Sequence, residues 1–301
     1  VMRRVGDRVK HVMTHNEPWC ATILGHWMGT HAPGLEDPAE AIKVAHHLLI
    51  SHGWATTALR EAYPDCQLGI ALNPAPVYPH RDTEADRDAA RREDGTRNRI
   101  WLDPLYGRGY PEDVIADLRE IDAWPADEPE WIAAGDLEAI AAPTDFLALN
   151  YYNPVRVSAD PEVDTLPAGA RKTDIGWEIE SDGLRHLLSR LHRDYGPKRL
   201  VISENGAADS TPPGPDGQID DQMRCDYFRE HLQAVADARI AGVPIDTYFA
   251  WTLCDNFEWA EGYEQRFGLV WWDRAQGERI PKRSAHELRE QIASARARRS
   301  A

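Results

Sequence analysis

The sequence predicts an α/β fold in which parallel strands alternate with helices. Three observations carry that expectation. Short runs rich in Val, Ile and Leu recur between longer segments whose apolar residues fall at helical spacing, and the alternation amounts to five strand-helix units. Two glutamates, Glu17 and Glu204, each follow one of the apolar runs. The end of a parallel strand, where it gives way to a loop, is where α/β folds place their chemistry.

The elements follow in order. Residues 9–14 read as the first strand. Asp37 and Pro38 offer an N-cap and a first-turn proline for a helix over 39–62, with Ile42, Ala45, Leu49 and Ile50 on its apolar side. Residues 67–73 form a second strand. The stretch 80–97 is charge-rich with little apolar content and is expected as a solvated helix or loop. A short helix over 111–120 and a third strand over 145–149 come next. From Ser181, the residues Leu184, Leu187, Leu188, Leu191 and Tyr195 keep helical spacing until Gly196 and Pro197 stop the helix. The fourth strand, 199–203, leads into Glu204. The Pro- and Gly-rich run 207–220 is a loop, 222–241 a helix closed by Gly242, 245–252 the fifth strand, and 284–295 a final amphipathic helix. The basic run 296–299 is expected as a frayed end. No internal repeat beyond this alternation and no linker divides the chain, so one domain over 1–301 is expected.

Composition bounds the function. A chain of 301 residues with 42% hydrophobic residues can bury a large core, and a net charge of −16 excludes nucleic acid or an anionic membrane surface as partner. No apolar run approaches the roughly 18 residues of a membrane span. Cys20, Cys66, Cys225 and Cys254 have no C-x-x-C spacing, which fits free thiols in a reducing, cytoplasmic setting. His11 and His15 lie on a strand, where four residues span about 13 Å. Adjacent His46 and His47 point about 100° apart on a helix. No metal and no cofactor is assigned.

Two carboxyl groups brought together from distant parts of a chain suit glycoside hydrolysis, in which one protonates the leaving oxygen and the other faces the anomeric carbon. The competing reading is a structural ion pair at each strand end. The motifs decide between them. Thr14-His15-Asn16-Glu17-Pro18, Asn150-Tyr151-Tyr152, Gly176-Trp177-Glu178, Ile202-Ser203-Glu204-Asn205-Gly206, and the stretch from Trp251 through Asn256-Phe257-Glu258-Trp259 to Arg266-Phe267-Gly268 occur in one order along the chain. In these five runs the chain resembles the family 1 glycoside hydrolases, the β-glucosidase and β-galactosidase family.

The resemblance implies a (β/α)8 TIM barrel and a retaining mechanism on terminal β-D-glucosyl, β-D-galactosyl or β-D-fucosyl residues. It assigns Glu17 as general acid and base and Glu204 as nucleophile, with Glu17 held protonated and Glu204 ionised. Asn16 and Asn150 would contact the sugar, Asn16 at its 2-hydroxyl, and Tyr152 would orient Glu204. Among eleven tryptophans, Trp251 would be a floor beneath the sugar, Trp259 a donor to a hydroxyl and Trp177 a wall of the leaving-group site; Phe267 joins the binding set. Trp54, Trp101, Trp124, Trp271 and Trp272 are left to packing. Glu258 would accept from the 4- and 6-hydroxyls and repel a 6-phosphate. The chain departs from the family pattern at Ala148, at Ser203 and in the loop 212–216.

Aligned on the acid/base strand, the first strand here corresponds to the fourth of the barrel, so about five of eight units are expected, strands four to eight. The domain is then incomplete at its N-terminus. A glutamine, a histidine-tryptophan pair and an arginine beside the nucleophile, which the resemblance leads one to expect, have no counterpart. Such an open sheet is expected to expose two strand edges and part of an apolar interior. The expected partners are small β-glucosides or oligosaccharides, and a homo-oligomer is compatible with the sequence. The rival reading is a catalytically inactive fragment that at most binds sugars or needs a complementing segment.

Overall fold

The computed structural model describes the backbone of residues 1–300 and the side chains of residues 1–297. Five parallel strands form one sheet in chain order: β1 (His11–Asn16), β2 (Gln67–Leu72), β3 (Phe146–Tyr151), β4 (Leu200–Asn205) and β5 (Ile245–Tyr248). The longer helices between them are α1 (Pro38–Ala62), α2 (Glu84–Asp94), α3 (Glu112–Glu120), α4 (Ser181–Tyr195) and α5 (Gln222–Ile240), with α6 (Arg283–Ser300) after β5. The five expected units are present, and the sheet does not close on itself: β1 and β5 are its edges.

Local chemistry explains the helix bounds. The Asp37 carboxylate accepts from the Glu40 N–H at 3.0 Å, an N-cap that satisfies an orphan donor at the start of α1, with Pro38 in the first turn. At the end of α4, Gly196 takes φ +56 and its N–H returns to the His192 carbonyl. Between these ends, Leu184, Leu187, Leu188 and Leu191 of α4 pack with Ile42, Ala45, Leu49 and Ile50 of α1 in one core, together with Ile70, Leu72, Leu147, Leu149, Leu200 and Ile202 of the sheet.

The other sheet face answers the expectation of an exposed interior. Ala71, Phe146, Ala148 and Val201 form a separate buried cluster there, so small side chains let the sheet curl over itself. Gly69 belongs to the same design: a Cβ on it would stand 2.5 Å from the Phe146 ring. Part of the interior stays exposed toward the edges, as expected, at Met13 on β1 and Phe249 just beyond β5, and so do Leu253 and Phe257 of the following segment.

Several details differ from the sequence reading, and β1, β3 and β4 each end two residues later than expected. Strand β5 stops at Tyr248 rather than 252, and the chain beyond it touches β4 only through Phe249 N–H to the Ile202 carbonyl and Trp251 N–H to the Asn205 carbonyl. Helix α6 runs to Ser300, through the basic run expected to fray, although the side chains of 298–301 lie outside the described residues. The charge-rich stretch is helical as α2, and its charges are not merely solvated. Arg91 reaches Asp113 and Asp117 of α3, and Arg190 of α4 reaches Asp94, so ion pairs fasten a helix that has little apolar surface. Trp54, expected as packing, is 61% exposed because its position on α1 faces away from the sheet.

Leu188→Ala removes a fully buried side chain at the α4 contact. It is expected to lower unfolding stability by about 2–5 kcal/mol in urea titration with an unchanged slope.

Candidate active site

A period-two strand should not present Glu204 to the open side of the sheet. Leu200 and Ile202 face the helices, and Glu204 shares their parity. The pairing of β3 with β4 breaks at this point: Leu149 lies opposite Ile202, and Asn150 lies opposite Glu204, with Ser203 as the extra residue. Such a bulge re-aims every side chain after it. The same device precedes the other acid. Met13 pairs with Gly69 and Asn16 with Ala71, so two residues of β1 face one of β2. Thr14 and His15 both turn to α1, bonding His52 and Ser51 at 2.6 and 2.7 Å, and Asn16 and Glu17 emerge on the other side. Glu17 itself has φ +46, the left-handed region that few non-glycine residues occupy. Past Glu204, a Cβ on Gly206 would stand 1.9 Å from the Trp251 carbonyl oxygen, which explains the glycine.

One buried amide ties Glu17 to Ser203, the neighbour of Glu204. Asn150, 1% exposed, accepts the Ser203 hydroxyl at 2.6 Å through Oδ1 and donates from Nδ2 to Glu17 Oε1 at 2.6 Å and Asn16 Oδ1 at 3.0 Å. Asn150 also lies opposite Glu204 in the β3–β4 ladder, and its amide favours the charged form of that carboxyl. The Tyr152 hydroxyl donates to Glu204 Oε2 at 2.5 Å. Tyr152, Trp177 and Phe267 pack ring against ring, with centroids 5.3 to 5.8 Å apart. Phe267 is 2% exposed, so it backs the other two rings and offers no free face of its own.

The electrostatics depart from the expected assignment. Burial pushes the Glu204 carboxyl up to about 7; Glu17 and Glu258 add to the rise, while the Tyr152 and Asn150 hydrogen bonds oppose it. No arginine or lysine is among the groups acting on it most strongly. Glu204, expected ionised, is thus raised chiefly by desolvation. Glu258 is also pushed up to about 7, by burial first and then by Glu17 and Glu261. Tyr152 is raised well above its ordinary range by burial and then by Glu204, which keeps it a donor.

Not every predicted residue joins the cluster. Trp251 is half-buried beside Gly206, and Trp259 is 67% exposed with its indole turned to His31. The segment that carries Glu258 and Trp259 is fixed at its base by Asp255, which the motifs did not single out. Its carboxylate accepts from Gly268 N–H at 2.9 Å, Lys282 Nζ at 3.0 Å and Arg266 Nη1 at 2.8 Å. Ser203 and Cys20 were missed as well, although each lies within three residues of an acid; the Cys20 thiol is 2.9 Å from Glu17 Oε2. Among the described residues no group of His, Cys, Asp and Glu could hold a metal, and no helix is long and apolar enough to cross a membrane.

Comparison with known proteins agrees with the motifs. The sequence profile of glycosyl hydrolase family 1 matches residues 1–296. A β-glucosidase of Agrobacterium sp. is 42% identical over 278 residues, covering 90% of this chain and 59% of that protein. A bifunctional β-D-glucosidase/β-D-fucosidase of Bifidobacterium breve is 38% identical over 99% of this chain and 67% of its own length. The structure of the family 1 β-glucosidase from Thermotoga maritima superposes with a TM-score of 0.89 at 37% identity, over 96% of this chain and 64% of that one. The β-glucosidase from Exiguobacterium antarcticum B7 gives 0.91 at 38% identity, over 98% and 66%. The chain thus spans about three fifths to two thirds of the length of these relatives.

The sign of the Glu258 shift gives a stability prediction. Between its ordinary value and about 7, the folded chain holds a proton that the unfolded chain has released, so stability is present at low pH and lost as pH rises through 7. Glu258→Gln removes that loss. Allowing for solvent screening, it is expected to be more stable than the parent by roughly 1 kcal/mol at pH 8 and equal to it near pH 4, by thermal unfolding at both pH values.

Proposed function

The chain belongs to glycosyl hydrolase family 1, and from that premise we propose that it is a retaining β-glycosidase acting on terminal, unphosphorylated β-D-glucosyl residues, with galactosyl and fucosyl residues also accommodated. The observation that carries the proposal is that the Asn150 amide bonds Glu17 and lies opposite Glu204 in the ladder, while Tyr152 holds Glu204. A retaining displacement needs the two groups about 5–5.5 Å apart, and a residue bonded to Glu17 and paired in register with Glu204 supports that closeness.

In the first step Glu204 attacks the anomeric carbon as the leaving oxygen takes the Glu17 proton. In the second, Glu17 removes a proton from water, which attacks the glycosyl-enzyme and frees Glu204. Asn16, whose Oδ1 already accepts from Asn150, would give its amide N–H to the sugar 2-hydroxyl. Glu258 would accept from the 4- and 6-hydroxyls, Trp251 and Trp177 would face the sugar and the leaving group, and Trp259 would reach its hydroxyl contact by turning inward from its exposed position. Transglycosylation onto an alcohol uses the same residues.

A second reading is favoured by the two open edges and by the uncompensated rise of Glu204: a sheet that binds sugars and turns over only when a complementing segment covers β1 and β5.

The test is release of nitrophenol from aryl β-glucoside and β-galactoside by the purified chain. Hydrolysis is expected to fall by at least about a thousandfold in Glu204→Ala, and Glu204→Gly with added azide is expected to form the α-glycosyl azide. Full activity in Glu204→Gly without azide contradicts the mechanism, and absence of turnover in the parent chain favours the second reading. Because Glu204 must be ionised to attack, kcat/KM is expected to rise with pH through about 7.

A further inference from the structure

The proton that Glu17 is to deliver must sit on one of two oxygens, and the hydrogen bonds leave one choice. With Asn150 Oδ1 engaged by the Ser203 hydroxyl, the amide nitrogen faces Glu17 Oε1. An oxygen facing an N–H donor accepts in either protonation state. The proton belongs on Oε2, and Oε2 faces the Cys20 thiol at 2.9 Å. The Cys20 N–H donates to the Glu17 carbonyl at 2.9 Å, and Asn73 Nδ2 donates to Sγ at 3.5 Å from another segment, so the thiol is held in place by backbone and neighbour together.

We propose that Cys20 is the positioning residue of the proton donor, giving S–H to Oε2 when Glu17 is a carboxylate and receiving O–H from Oε2 when Glu17 is an acid. The proposal rests on the hydrolase reading and names a residue that reading does not use. The thiol suits the position because it donates and accepts, each weakly. It keeps the proton-bearing oxygen in place without competing strongly with the leaving-group oxygen for the proton. An aliphatic side chain would leave the carboxyl free to turn, and small misplacements of a reacting group are costly. Burial, and after it the Glu17 charge, push the thiol far above its ordinary range, so it remains S–H throughout. No bond to sulfur forms or breaks.

Two measurements on the purified chain test this. Subtracting the infrared spectrum of Cys20→Val from that of the parent isolates the Cys20 S–H stretch from those of Cys66, Cys225 and Cys254. The band is expected below the frequency of a free thiol and is expected to rise in Glu17→Gln, where an amide turns its nitrogen toward sulfur. A band unchanged by Glu17→Gln overturns the proposal. In turnover, Cys20→Val is expected to lose about fivefold in kcat/KM on phenyl β-glucoside, which needs protonation, and under about twofold on dinitrophenyl β-glucoside, which does not; Cys20→Ser keeps the parent ratio. Equal losses on both substrates overturn the positioning role. Absence of Glu204-dependent turnover would sink the hydrolase reading, and the S–H band then decides this proposal by itself.

Discussion

The site depends on one amide. Asn150 lies on β3, between the strands that carry Glu17 and Glu204, and its buried side chain bonds Asn16, Glu17 and Ser203 at once. A buried amide must satisfy both its oxygen and its nitrogen. With Ser203 on the oxygen, the nitrogen has one direction left, toward the acids. The acid-base geometry on β1 is thereby coupled to the register of β3 and β4, and a slip of either strand would break the bond to Glu17.

That register is itself irregular where it matters. Each acid follows a bulge: in β4 it turns Glu204, which strict alternation would aim at the helices, toward the open side of the sheet, and in β1 it turns Asn16 there, with Glu17 next at φ +46. The regular halves of the strands form the core, packing Leu and Ile against α1 and α4 on one face and a small cluster of Ala, Val and one Phe on the other. Small residues on the inner face let the three middle strands bury a cluster there, while Met13 and Phe249 stay exposed toward the edges. Glu204 is buried between two other carboxyl groups that act on it, Glu17 and Glu258, and its raised proton affinity is the consequence, burial first.

Much of this was legible in the sequence. The five strands, the Asp37 cap, the Gly196 stop and the two acids followed from apolar spacing, turn chemistry and motif, because each is a local property of a few neighbouring residues. The inner-face burial was not, since it depends on how Gly69 admits the Phe146 ring from an adjacent strand. Nor was the ion-pair fastening of α2, which read as solvated charge until Asp113 and Asp117 came alongside. Cys20 lies three residues from Glu17, within reach in a helical turn, yet a lone cysteine carries no signal until the carboxyl oxygen it faces is known. Asp255 was likewise invisible among many acids until the backbone of Gly268 and the buried Lys282 met it.

The central claim is that this sheet presents Glu204 as a nucleophile. Mass spectrometry after incubation with dinitrophenyl 2-deoxy-2-fluoro-β-glucoside tests it most directly, because the fluorine slows breakdown of a glycosyl-enzyme and the leaving group needs no acid. The account predicts one added fluoroglucosyl group on the peptide containing Glu204, absent in Glu204→Gln. An unlabelled parent chain, or a label on another residue, would contradict it.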